Sequence, residues 1–307
     1  MNTPHLALSF SHQMIDVTDA GQTLQRSFLI HVPLKSPKVA MPAVLVFHGG
    51  GQNASDMVQH WASMLGGDFV IVCPQALIDP TINKTLWAQA RPGDTVIPTT
   101  DLAFVDALLR WLAASGDVDI DRVYATGFSS GAGMTWQLSM HDEFVNRFKG
   151  FAPVAKGVSS AQQALAHPMA ANTPKPLIYI HGTADDNWAQ LYDNVPEPMP
   201  PDVVITWMRR NRSLPASTPV VYSCATERPL DPVAVEQLYL PDPAVAGSRA
   251  VCFLTIINGG HCWPLTGHDP SGRGLVCRDF DATKRIIGFW NTHAGMGLLA
   301  TPDWRVC

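Results

Sequence analysis

A serine, an aspartate and a histidine, each placed just after a short apolar run, are the residues whose types and spacing could do chemistry. The serine stands in the stretch from Arg122 to Met134, where Gly127-Phe128-Ser129-Ser130-Gly131 fits G-x-S-x-G. In that pattern a strained strand-to-helix turn lifts the serine Oγ above the end of a sheet. Asp185 ends Ile180-His-Gly-Thr-Ala-Asp185, and His261 ends Asn258-Gly-Gly-His261. A serine hydroxyl is a poor nucleophile at neutral pH and needs a base within hydrogen-bond reach. His261 fits that base, and Asp185 fits the acid that holds the imidazole tautomer and stabilises its cation. Asp186 and Asp202 compete for the acid role, but Asp185 is the one placed at a strand end.

Acyl transfer also needs N–H donors aimed at the oxygen that becomes negative. The residue after the nucleophile, Ser130, supplies one, and a glycine-rich loop supplies another. That loop is His48-Gly49-Gly50-Gly51, so Gly50 or Gly51 is the expected donor. His48 and His181 also sit at strand ends and read as hydrogen-bonded scaffold. His181, His261, Cys262 and His268 lack zinc spacing, so no metal is expected, and the chemistry requires no cofactor. Trp263, directly after the base loop, and Trp87 are the candidate substrate-binding residues; Trp87 and Trp188 lie in loops on the functional side.

These loops need strands to position them. Ala43–Phe47, Phe69–Cys73, Val123–Ala125, Gly150–Val154, Pro176–Ile180, Val235–Leu240 and Val251–Ile257 are apolar runs of strand length, and several are continuous enough for burial on both faces. Helices are expected from Asn53 to about Leu65, Asp101 to Ala114, Ser130 to about Met140, Val203 to Arg210 and Asp281 to His293. Leu6–Phe10 and Ser27–Val32 read as early antiparallel strands, and Pro74 to Thr100 reads as a long loop. Strands alternating with helices predict an α/β fold, with a mostly parallel central sheet and helices on both faces. Chemistry belongs at the carboxyl ends of such strands. The order serine, aspartate, histidine is that of α/β-hydrolases. One domain spanning residues 1–307 is expected, with a loop-rich insertion at about 186–250 between acid and base.

The totals exclude several partners. The chain has 307 residues, 46% of them hydrophobic, and a net charge of −5, without a basic run. Nucleic acid and anionic membrane surfaces are therefore not expected partners. No apolar stretch reaches the roughly 18 residues of a membrane span. The start of the chain lacks the basic and apolar regions of a signal peptide. Cys73, Cys224, Cys252, Cys262, Cys277 and Cys307 make an even set whose pairing the sequence does not specify. The expectation leans towards an exported protein whose signal is absent from this chain.

Four motifs in register resemble the α/β-hydrolase esterase group of polyhydroxyalkanoate depolymerases and feruloyl esterases. They are Val46-Phe-His-Gly-Gly-Gly-Gln-Asn-Ala54, Asp121-Arg-Val-Tyr-Ala-Thr-Gly-Phe-Ser-Ser-Gly131, Ile180-His-Gly-Thr-Ala-Asp185 and Gly259-Gly-His-Cys-Trp-Pro264. The resemblance spans roughly residues 27 to 293. It implies a serine esterase with Ser129 as nucleophile, Asp185 as acid and His261 as base, acting on 3-hydroxyalkanoate oligomers, polymer or related short esters. The same resemblance extends to β-diketone hydrolases of oxidised poly(vinyl alcohol), which cleave a carbon–carbon bond. A feruloyl-type esterase is a further alternative. A binding protein on a hydrolase scaffold would be expected to have lost members of the triad. Asp186-Asn-Trp188 departs from the apolar-Pro stretch usual in the group, so the following loop is expected to shape a different pocket.

Overall fold

The computed structural model describes residues 10–34, 39–88, 98–158, 174–185, 202–215, 220–222, 232–266, 275–300 and 303. Two compact units part between Lys149 and Gly150.

In the first unit, strands β1 (Ser11–Asp19), β2 (Gln22–His31), β3 (Met41–Phe47), β4 (Val70–Pro74) and β7 (Val118–Phe128) pair in the order β1-β2-β4-β3-β7. The β1–β2 and β2–β4 pairs are antiparallel, while β4–β3 and β3–β7 are parallel. All seven residues of β3 are buried, as its unbroken apolar run requires. Helices α1 (Ala54–Trp61), α2 (Thr100–Ser115) and α3 (Ser130–Met140) belong to this unit. Asn53 starts α1 with a capping box: its side chain accepts from Ser55 and Asp56 N–H, while Asp56 accepts from Asn53 N–H at 2.8 Å.

Of the expected strand Leu6–Phe10, residues 6–9 lie outside the described residues; the first described strand is Ser11–Asp19, and Phe10 precedes it. Val17 is the sole buried residue of this edge strand; burial alternates from Gln13 to Asp19, but Gln13 and Asp19 stand on the more covered side, so the apolar pattern is weak. Its hairpin turns at Ala20 and Gly21, both at positive φ (47° and 80°), without the Asn-Gly or Asp-Gly that signals such turns. The expected loop from Pro74 to Thr100 carries a two-stranded ladder, β5 (Ile78–Asp79) with β6 (Lys84–Thr85). A buried ion pair between Arg26 and Asp101 (2.7 Å) ties this segment to β2 and α2. Arg26 also donates to Gln75 O, and Asp101 accepts from Ala88 N–H.

The second unit pairs β8 (Gly150–Val154), β9 (Leu177–Gly182), β10 (Ser213–Pro215), β12 (Val233–Pro241) and β13 (Val251–Ile257) in the order β8-β9-β13-β12-β10. β8, β9 and β13 run parallel; β12 is antiparallel to β13, β10 and also β11 (Val220–Tyr222). Helices α4 (Asp202–Asn211) and α5 (Ala282–His293) belong to it. The stretch expected to be loop-rich therefore carries a helix and three strands among its described residues. Among the described residues, no helix is long and apolar enough to cross a membrane.

His60, in the last turn of α1, is 4% exposed, and burial pushes its pKa from the ordinary 6.5 down to about 4. Below pH 6.5 the unfolded chain takes up a proton that the folded chain refuses until about pH 4. Stability is thus full above that window and falls as pH drops through it, by about 3 kcal/mol from this group. Denaturant melts of wild type and His60→Leu, at neutral pH and near pH 4, test this. The wild type should lose more stability than the variant; equal losses would refute it.

Candidate active site

The serine loop is built where β3 and β7 end. Ser129 sits between β7 and α3 at φ 52° and ψ −115°, a sparsely populated conformation for a residue with a Cβ. It is held there by close packing of the start of α3 on the end of β3. A Cβ on Gly131 would stand 2.1 Å from Phe47 O and 2.7 Å from His48 O, so only glycine lets the helix start this close. Ser129 O accepts from Gly133 N–H at 3.0 Å, closing the first helical turn. Ser130 begins the helix, where N–H groups fall outside the i→i−4 ladder.

The glycine-rich loop is braced from both sides. His48 is fully buried, and its Nε2 accepts from Ala76 N–H at 3.0 Å. Its Nδ1–H therefore donates to Gly49 O at 2.8 Å. Desolvation pushes the imidazole pKa down and keeps it neutral, a scaffold role. Gly49 N–H donates to Gln52 Oε1 at 2.8 Å, and Gly51 N–H to Thr85 O at 2.8 Å. Of the two expected oxyanion donors, Gly51 is thus engaged by the β5–β6 ladder. Gly50 N–H donates to no described residue. Gly50 also faces the start of α3: a Cβ there would lie 3.7 Å from Ser130 Cβ.

The acid and the histidine stand where β9 and β13 end. The two loops are laced together: Ala184 N–H donates to Gly259 O at 2.9 Å and Asn258 N–H to Thr183 Oγ1 at 2.9 Å. A Cβ on Gly182 would stand 2.2 Å from Gly259 O, so this approach also requires glycine. Asp185, 1% exposed, accepts from His261 Nδ1 at 2.7 Å and from His181 Nε2 at 2.9 Å, both on Oδ2. Burial alone would raise the carboxyl pKa; the two imidazole donors outweigh it and hold the group well below the usual carboxylate range. The His261 side chain stays 15% exposed. Asp186, the neighbouring candidate acid, lies outside the described residues.

Both tryptophans expected to meet substrate are enclosed instead. Trp87 is 1% exposed; its Nε1–H donates to His48 O at 2.8 Å and its backbone N–H to Ser130 Oγ at 3.2 Å. Trp263 is equally buried, with Nε1–H on Thr283 Oγ1 at 3.1 Å, which pins the base loop to α5. An indole with its face covered and its N–H bonded braces a loop and offers no platform to a ligand. Trp188 and Cys224 lie outside the described residues, whereas Cys73 and Cys252 are buried thiols whose pKa burial raises. The link from His181 to the acid was not anticipated. Its signal was the His-x-x-x-Asp spacing at the end of a buried strand.

Residues 30–194 match the dienelactone hydrolase family. NocK of Nocardia uniformis subsp. tsuyamanensis, provisionally named an esterase, is 28% identical over 89% of this chain and 81% of its own. Poly(3-hydroxyalkanoate) depolymerase C of Paucimonas lemoignei is 32% identical over 41% of this chain, but the match spans only 30% of that protein. The acetyl xylan esterase structure from Aspergillus awamori superimposes with a TM-score of 0.50 at 16% identity, covering 82% of this chain and 94% of that one. Family and architecture agree on the α/β-hydrolase fold, and the chain belongs to the dienelactone hydrolase family.

Proposed function

We propose that the protein is a serine esterase working through an acyl-enzyme, with 3-hydroxyalkanoate oligomers or polymer, or related short esters, as substrates. At the coarser level of its family the chain is a carboxylic ester hydrolase. Two observations carry the finer reading: Ser129 is held in a strained turn, and a buried, anionic Asp185 is already bonded to a partly exposed His261. In this reading Ser129 Oγ attacks the ester carbonyl while His261 Nε2 takes its proton. The tetrahedral oxyanion is held by the N–H groups of Gly50 and Ser130; Gly51 is left out because Thr85 occupies its N–H. Collapse expels the alcohol, which takes the proton back from His261. Water then repeats the cycle on the acyl-enzyme, and Asp185 remains ionised throughout.

Two observations support an apolar ester chain. Leu77, Ile78 and Ile82 are 38%, 62% and 51% exposed on the segment that braces the glycine loop. Part of the sequence is also similar to a poly(3-hydroxyalkanoate) depolymerase. The test joins a fluorophosphonate probe, mapped by peptide sequencing, to a panel of p-nitrophenyl acetate, butyrate and octanoate, 3-hydroxybutyrate oligomers and 2,4-diones. Label on Ser129 and hydrolysis of esters and oligomers are expected. Label on another residue would sink the nucleophile, and turnover of diones without esters would sink the ester reading.

A further inference from the structure

We propose that His181 is a positioning residue for the reaction: through Asp185 it orients and tunes the base His261, and Tyr179 braces its ring. The inference rests on the triad reading above. It starts from hydrogen-bond polarity. An ionised carboxylate only accepts, so His181 Nε2 must be the protonated nitrogen facing Asp185 Oδ2 at 2.9 Å. Burial, outweighing the attraction of Asp185, pushes the His181 pKa down, so the ring is neutral and its Nδ1 is an acceptor. Tyr179 O–H meets that acceptor at 2.5 Å. The series therefore has one direction: Tyr179 O–H to His181 Nδ1, His181 Nε2–H to Asp185 Oδ2, and His261 Nδ1–H to the same oxygen.

Packing makes this series rigid. His181 is fully buried on β9, opposite Thr255 of β13, and Tyr179 is stacked on Phe253 at 5.4 Å between ring centroids. A ring with its proton on Nδ1 would set an unprotonated Nε2 against the carboxylate, two buried acceptors facing each other. Asp185, His261 and Tyr179 are titratable groups that act on His181. The consequence concerns His261. Two donors share Asp185 Oδ2, so the carboxylate is fixed in direction, and the negative charge left to stabilise the His261 cation is smaller than one donor alone would receive. Orientation favours a high kcat, while sharing leaves the His261 cation less of the carboxylate's charge.

The experiment compares kcat and KM across pH for wild type, Ser129→Ala, His181→Phe, His181→Gln and Tyr179→Phe on p-nitrophenyl acetate. Phenylalanine keeps the ring and deletes the donor; glutamine returns an N–H near the position of Nε2. In His181→Phe, kcat should fall about 10- to 100-fold with KM nearly unchanged, the scale of losing an orienting hydrogen bond behind a functional group. Its acid limb should move to higher pH, because Asp185 then serves His261 alone. Glutamine should restore most of the rate and the wild-type limb. Tyr179→Phe should shift the limb in the same direction by less, and it decides the matter if His181→Phe fails to fold. An unmoved acid limb in the folded variants, or equal losses in phenylalanine and glutamine, would overturn the inference. Activity surviving in Ser129→Ala would instead overturn the triad reading itself.

Discussion

Replacing Ser129 by alanine should abolish ester hydrolysis, by about 10⁶-fold in kcat, equivalent to about 8 kcal/mol of transition-state stabilisation. The size follows from the mechanism. Without Oγ there is no acyl-enzyme, and the base, the acid and the oxyanion donors have no reaction to assist, so the loss is that of the whole unit. Ser129→Gly should be equally inactive yet more stable. The native residue is held at φ 52° and ψ −115°, a conformation that costs on the order of 1–3 kcal/mol with a Cβ and little without one. Glycine's greater freedom in the unfolded chain returns roughly 0.5–1 kcal/mol of that, so the net gain should be about 1 kcal/mol. Kinetics on p-nitrophenyl butyrate and denaturant melts of the two variants check both halves. Substantial turnover in either variant would remove Ser129 as nucleophile. A glycine variant less stable than the alanine variant would mean that the turn stores no strain.

Gly131→Ala should be the most damaging single methyl added to the first unit. The new Cβ would stand 2.1 Å from Phe47 O and 2.5 Å from Phe47 C, atoms of a strand buried along its whole length. No side chain can turn aside to make room; the start of α3 must move away from β3. Steric insults of this kind in a packed backbone belong to the exceptional class above about 4 kcal/mol, a large part of a typical stability of about 5–15 kcal/mol. Any protein that folds would carry Ser129 and Ser130 displaced, and a misplacement of about 1 Å costs on the order of 100-fold in rate. Thermal melts and kcat should therefore both collapse. Gly66→Ala is the control, since a Cβ there meets nothing within 4 Å. A Gly131 variant that melts and turns over like the control would show that the two elements separate without cost.

Most of the site was legible because its signals are local. A buried strand announces itself as an apolar run, and a serine between two glycines at its end can be joined to a helix only by a tight turn. Asn53 capped α1 as its side chain predicts, and Ser129, Asp185 and His261 each stand in the loop where their flanking strands place them. The edge strand Ser11–Asp19 was overlooked because it buries only Val17 and places polar Gln13 and Asp19 among its half-buried positions, so its apolar signal is faint. The ladder inside the expected loop was hidden because each of its strands is two residues long.

What only the tertiary structure decided is which polar atoms meet. Thr85 O takes the N–H of Gly51 and so distinguishes it from Gly50, although the two are alike in sequence. Trp87 and Trp263 turn inward because carbonyl and hydroxyl partners wait for their N–H groups, whereas loop position alone suggested open aromatics. His181 reaches Asp185 because strand pairing with β13 fixes where β9 ends. The sequence by itself determined the types of elements and the loops that carry Ser129, Asp185 and His261, since backbone sterics and apolar burial act over a few neighbouring residues. Hydrogen-bond partners, tautomers and burial waited for the fold, because they depend on atoms that come together only when distant segments pack.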